Sequence, residues 1–386
     1  LKEIKLKANF LRYLGVVHWS FQKYKNAIEI FSELLSISRR IKDRNAELVS
    51  LGNLGLVYHW IGENKKALEF FRKALAISIE MKDERNQSIS YELIGSAYKE
   101  SGETERALEY YNKALTIAKK TGNRRGEAII YGHIGGYYYE KKDIKETFYY
   151  YRKAYDLASR VQDRWGECIW LANIGSLHAM IGEEELALSC LHDSLQIAHL
   201  LENERSVCIS TRMLSEIWIT IPEFKKAKET SQEGLRLNRK LKDTENIIWF
   251  STLLGIISLE ENQIQKAEKF LKQAKKAARN TDDFLISKRT MVYSERIKFI
   301  HCKKEEKLIG LKNIIKDMQE KLIKSKEIES LDGEIILIEA LVQYAKSLKE
   351  IGELKKAEVT FQKARKLTRR SKRKKYLKII TREMSR

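Results

Sequence analysis

Along residues 51–82 the apolar positions recur with a helical period, break, and resume. Leu51, Leu54, Gly55 and Tyr58 lie three, one and three apart, and Ala67, Phe71 and Ala74 lie four and three apart. Each set falls on one helical face. Ile61-Gly62-Glu63 separates them, with a glycine free to take a left-handed turn. The stretch therefore predicts two amphipathic helices in a hairpin, neither able to bury its apolar face alone.

The pattern returns at every fortieth position. Gly55 has counterparts at Gly15, Gly95, Gly135, Gly175, Ser215 and Gly255, each after Leu or Ile. Tyr58 becomes His18, Tyr98, Tyr138, His178 and Trp218, and Ala67 becomes Ala27, Ala107, Thr147, Ala187, Ala227 and Ala267. A second register, Asp43, Asp83, Asn123, Asp163, Asn203, Asp243 and Asp283, supplies N-cap residues where each new pair should begin. Two registers repeating together describe a solenoid.

These residues resemble the tetratricopeptide repeat, whose pattern is W-x2-L-G-x2-Y followed by A-x3-F. Leu51, Leu54, Gly55, Tyr58, Ala67 and Phe71 fall on it, with Leu for Trp, as do Tyr91, Ile94, Gly95, Tyr98, Ala107 and Tyr111. The unit that runs from Asp43 to Asp83 is longer than the family's common one and lacks the closing proline. It is similar to the longer arrays of kinesin light chains, Leu-Gly-Asn-repeat scaffolds and prokaryotic signalling sensors. The resemblance implies an all-α, right-handed superhelix of about nine helix pairs. It also implies protein or peptide binding along the first-helix wall, and no catalysis by the repeats themselves.

Divided on this register, residues 1–283 form seven regular repeats. Residues 284–332 form a degenerate eighth, because Ala267 to Ala357 spans two periods plus ten. The extra ten are expected in its second helix or the loop after it. Residues 333–364 form the ninth repeat, and 365–386 a basic C-terminal helix or tail. Ser215, Ser231 and Gly234 weaken the pattern of units six and seven. Pro222, the single proline, stands where Gly62 stands in its own unit and is expected to open the second helix.

On the inner wall the family places positions flanking the Leu-Gly pair. Here these include Arg12, Tyr13, Asn53, Glu92, Gly132, His133, Asn173 and Arg212, and further along each helix Trp60, Gly136, Tyr139, Glu140 and Glu216. Asn53 and Asn173 match the asparagine that long-repeat relatives use to hold a partner backbone, which suits a side chain that both donates and accepts. Gly132 and Gly136 admit two readings, a shallow pocket for a partner backbone or close packing against unit three. Tyr149 replaces a residue that is Glu at 29, 69, 109 and 229, which makes it a candidate outer contact.

The net charge of +20 changes the picture only locally, since residues 51–250 sum to zero while the last 36 carry +11. An array binding nucleic acid along its length would be basic in unit after unit. The excess gathers in Arg365, Lys366, Arg369, Arg370, Lys372, Arg373, Lys374, Lys375 and Lys378. This cluster reads either as the polar outer face of a terminal helix or as a site for an acidic protein or nucleic acid.

No phosphate loop, H-E-x-x-H, G-x-S-x-G or dinucleotide fingerprint is present, so no enzyme, cofactor or metal is expected. The four cysteines lack Cys-x-x-Cys spacing and read as reduced thiols of a cytoplasmic protein. His18 and His178 read as core residues. No apolar run reaches membrane-spanning length. The sequence opens at Leu1 inside a first helix without an initiator Met, as a piece of a longer protein would.

Overall fold

A computed structural model describes residues 2–279, 284–302, 305–324, 331–371 and 374–385. Those residues hold nineteen α-helices, one short 3-10 turn and no strand. Two compact units share them. The first comprises Leu1–Tyr139 and Lys145–Asp163, the second Glu140–Ile144 and Arg164–Arg386. The first unit is built from α1 (Lys2–Ser20), α2 (Tyr24–Arg40), α3 (Arg44–Trp60), α4 (Asn64–Glu80), α5 (Glu84–Glu100), α6 (Thr104–Lys120), α7 (Arg124–Glu140) and α8 (Ile144–Arg160). In the second, α9 (Arg164–Ile181), α10 (Glu184–Leu200), α11 (Glu204–Thr220), α12 (Phe224–Leu241), α13 (Thr244–Glu260) and α14 (Ile264–Ala278) come first. Then follow α15 (Phe284–Cys302), the 3-10 turn Glu305–Leu308, α16 (Ile309–Lys324), α17 (Leu331–Glu350), α18 (Leu354–Arg370) and α19 (Lys374–Ser385). This is an all-α helical repeat solenoid.

Through the regular repeats a turn closes each helix, two to a forty-residue unit as predicted. In these turns of two or three residues the next-to-last residue is left-handed: Gly62, Gly102, Gly122, Gly182 and Gly352, but equally Gln22, Lys42, Lys82, Lys142, Gln162, Glu202, Lys242 and Asn262. The residue after it donates its N–H five residues back, as Asp43 does to Ser38 O and Glu63 to Tyr58 O, both at 2.9 Å. This is the Schellman closure, which satisfies the last carbonyls of the helix. The two kinds of turn differ in what starts next. Asp43, Asp83, Asn203 and Asp243 cap first helices with a side-chain oxygen that accepts an N–H three residues on, and Asn123 does the same for Gly126 at 3.1 Å. Asp163 directly precedes α9, and Asp283 lies outside the described residues. Second helices start from Lys23, Glu63, Glu103, Glu183, Glu223 and Gln263 without a side-chain cap.

The Leu-Gly pair works by contact. A Cβ on Gly15 or Gly55 would overlap the ring of Phe31 or Phe71. On Gly95 or Gly135 it would fall 2.7 or 2.6 Å from Tyr111 or Tyr151. Each glycine thus receives the large residue 16 positions on, from the partner helix of its own hairpin. In unit six both members change together, to Ser215 and Ser231, and both are buried. Gly234 restores the same 16-residue contact one helix later, against the fully buried Phe250.

Three expectations need correction. Pro222 lies in the turn rather than opening a helix, since α12 begins at Phe224 with Glu223 in the cap position. The ten extra residues do not sit in one place: α16 ends at Lys324 where the register would end it at 320, and α17 begins at Leu331 where the register would begin it at 334. The stretch 365–386, expected as one C-terminal helix or tail, is divided between two helices. α18 stops at Arg370 and α19 is a separate helix.

Candidate functional site

The first-helix positions expected on the wall fall in both units. In the first, Glu92 on α5 and His133 on α7 pair at 3.1 Å, and the imidazole stacks on Tyr111 with centroids 5.1 Å apart. Arg12 donates to the Tyr13 hydroxyl at 3.0 Å, and Tyr13 is 63% exposed. Trp60 is exposed and meets Trp19 edge to face. Asn53 is half-buried and its amide makes no hydrogen bond among the described residues. Gly132 is buried, whereas a Cβ on Gly136 would meet only Lys99 Nζ, at 3.9 Å. Gly132 is thus covered, and Gly136 faces open space. Tyr139 is half-buried, and Tyr149 is largely exposed beneath Lys153 Nζ at 4.3 Å. In the second unit, the exposed Glu140 belongs to the short segment before α8, and Asn173 on α9 is half-buried with its amide likewise open.

The second unit draws its wall into a buried ionic cluster. Arg289 on α15 donates through Nε and Nη2 to both oxygens of Glu339 on α17, at 2.9 and 2.8 Å, and through Nη1 to Glu216 on α11 at 2.8 Å. Its guanidinium lies 4.4 Å from the Trp249 ring centroid, and Arg212 lies 5.3 Å from the same ring. Arg289 and Glu339 are buried, and Glu216 is half-buried. Burial alone would lower the Arg289 pKa, but Glu339 and Glu216 outweigh it and hold the guanidinium charged. Tyr376 on α19 donates its hydroxyl to Glu339 Oε1 at 3.2 Å. Burial first, and Glu339 second, push the Tyr376 and Tyr293 phenols well above their ordinary value. A bidentate guanidinium–carboxylate pair fixes orientation as well as energy. Beside it, Lys346 on α17 reaches Glu260 on α13 and Glu383 on α19, both at 3.3 Å.

Two clefts open on this cluster. One of about 60 Å³ is lined by Glu216, Ile219, Ile256, Tyr293, Tyr376 and Ile379 among others, and one of about 240 Å³ by Glu260, Asn262, Arg296, Gln343, Lys346 and Glu350 among others. Their chemistry is that of recognition: paired charges, amides and apolar walls. Among the described residues no group of three or more His, Cys, Asp or Glu is placed to hold a metal, and no helix is long and apolar enough to cross a membrane.

Sequence position alone selected Arg212 and Glu216. It missed Arg289, Glu339 and Tyr376, whose partners lie tens of residues away. The basic tail is divided. Lys366, Arg369 and Arg370 on α18 and Lys374 on α19 are exposed, and Arg365 is half-buried. Lys378 reaches the Glu184 carboxylate at 2.6 Å. Lys372 and Arg373 lie outside the described residues, as does the side chain of Lys375.

Two family models described as tetratricopeptide repeat match residues 6–80 and 89–121. A third, described as anaphase-promoting complex subunit 5, matches residues 137–221. The chain thus carries tetratricopeptide repeats in the matched segments. No curated protein matches it. Among solved structures it is similar to a Rap protein complexed with Competence and Sporulation Factor, at 13% identity over 96% of this chain and 98% of that one, with a TM-score of 0.66. The apo form of the quorum sensor NprR from B. thuringiensis is similar at 13% identity, over 95% and 99% of the two chains, with a TM-score of 0.58. A signal-transduction ATPase of the STAND class with a tetratricopeptide repeat sensor, from Pyrococcus horikoshii, is similar at 17% identity with a TM-score of 0.59. There the match covers 84% of this chain and 50% of that one.

Proposed function

We propose that the chain is a non-catalytic protein- or peptide-binding array that senses or scaffolds a partner on its first-helix walls. The observation that carries this reading is the state of the wall asparagines. Asn53 and Asn173 stand half-buried in their own units with amides that bond to nothing else described. A half-buried amide with open donors and acceptor is a ready partner for an extended backbone. Similarity in fold to a Rap protein complexed with a signalling factor and to a quorum sensor supports the same reading.

Selection from a random peptide library against the intact chain tests it. Wild type is expected to enrich a common sequence, and Asn53→Ala with Asn173→Ala to weaken that peptide about tenfold or more without lowering the melting temperature. Equal affinity in the double variant would remove the asparagines from the site. Failure of the wild type to enrich any peptide would count against the array as a peptide binder.

A further inference from the structure

α19 is not placed as an end cap. It packs against α18, as a terminal helix must, but also on α9, α11 and α17, the first helices of units five, six and nine. Its residues divide by face. Tyr376 and Ile380 are buried, Leu377, Ile379 and Met384 are half-buried, and Lys374, Lys378 and Thr381 are exposed. Its basic side chains meet acids at helix ends beside that wall: Lys378 reaches Glu184 at the start of α10, and Arg382 lies 3.9 Å from Glu260 at the end of α13. A Cβ on Gly182 would stand in ordinary contact with Lys374 Cβ, at 3.5 Å, so α19 runs directly over this turn. This is helix-in-groove recognition made within one chain.

The fit is incomplete, and the groove does not depend on it. Arg382 Nε is buried without a partner. The clefts beside Tyr376 and Ile379 and beside Lys346 are not filled by the helix. If α19 leaves, Glu339 keeps both bonds from Arg289, Glu216 keeps its own, and Glu260 keeps Lys346. No buried carboxylate is stranded, which is the usual large cost of opening an ionic interface. At 12 residues α19 is also too short to hold a helix unaided in water.

We propose that the inner groove of the second unit is a docking site for a basic amphipathic helix of a partner protein, and that α19 is the intramolecular occupant which that helix displaces. The proposal rests on the protein-binding reading above. The partner presents an aromatic residue toward Glu339, aliphatic residues three and four positions on toward Ile219 and Ile256, and a basic residue toward Glu260.

The probe is a fluorescein-labelled peptide of residues 374–385, titrated by anisotropy into the full chain and into the full chain carrying Ile380→Asp. A tethered occupant competes at an effective concentration in the millimolar range. The substituted chain is therefore expected to bind the peptide about tenfold or more tighter than wild type. A peptide carrying both Tyr376→Ala and Ile380→Asp should not bind. An Ile380→Asp chain that keeps its helical circular dichroism yet binds no peptide overturns the proposal. Hydrogen exchange on the wild-type chain decides independently, whatever the variant does. α19 amides exchanging well before those of α9, α11, α13 and α17 support a displaceable occupant, and exchange in step with them overturns it. Library peptides that bind while the α19 peptide does not would leave the array reading standing and remove only the groove. If neither binds, both fall.

Discussion

At the scale of single residues the array rests on two small requirements, a left-handed residue in every turn and a missing Cβ under every large ring. Gly62 and Gly102 have left-handed φ and no heavy atom within 4 Å of an added Cβ. Substitution there isolates the backbone term. Gly62→Ala or Gly102→Ala should cost on the order of 1 kcal/mol in urea unfolding, the penalty for an L-residue in that region. Gln162, at φ 55 in an equivalent turn, predicts the reverse, so Gln162→Gly should raise the unfolding midpoint slightly. The ring contacts predict non-additivity. Gly55→Ser drives a side chain into Phe71, and overpacking of this kind costs about 1–3 kcal/mol. With Phe71→Ser in the same chain, the pair becomes the one found at Ser215 and Ser231. The double variant should then cost less than the sum of the singles by about 1 kcal/mol, read from a double-mutant cycle. Gly55→Ser and Phe71→Ser adding as independent sites would mean the two do not touch as described.

At the scale of elements, most of the helices were legible because capping and periodicity are local. Asp43, Asp83, Asn203 and Asp243 announce their helices within four residues. The left-handed turns at Lys42 or Glu202 were not legible. There the two flanking helices impose the conformation against the preference of the residue, and only the glycine turns carry a mark in the sequence. The site divided the same way. Arg212 and Glu216 were found from repeat position. Arg289 and Glu339 sit in units where the repeat has decayed, and their bonds span 73 and 50 residues. A signal was present, since Glu339 interrupts the apolar run Ile335–Val342, and a lone acid there requires a buried partner. The cluster makes two predictions. Arg289→Met takes the bidentate cation from the buried Glu339 and should cost about 3–5 kcal/mol, whereas adding Glu339→Leu should recover much of that loss. The second concerns alkaline pH. Tyr293 and Tyr376 keep their protons in the folded chain beyond the pH at which an unfolded tyrosine, near pH 10, loses its own. The folded state then binds more protons, so stability is full below that pH and falls as pH rises above it. Tyr376→Phe should flatten part of that fall in pH-dependent unfolding. An unchanged alkaline slope would show that the phenol titrates alike in both states.

At the scale of the whole molecule, a solenoid is expected to unfold as a sum of near-neighbour terms. The first unit conforms, each described helix packing on the next. The second departs from it, because α19 ties α9, α11, α17 and α18 together, helices that begin as far back in the chain as Arg164. Ile380→Asp should therefore broaden the unfolding of the second unit and lower the denaturant slope, while the signal of the first unit is unchanged. Trp19 and Trp60, half-buried and exposed in the first unit, report that signal once Trp165, Trp170, Trp218 and Trp249 of the second unit are replaced by Phe.

The close spacing of the turns has a further consequence, one of parity. A chain punctuated only once per hairpin gains or loses helices two at a time and always ends mated. A chain punctuated after every helix can end on any of them, and the contact between Gly234 and Phe250 shows the interlocking already shifted by one. The nineteen helices of the described residues make an odd count. The helix left over has an apolar stripe but no hairpin mate, and it finds cover on the wall that the paired helices have built.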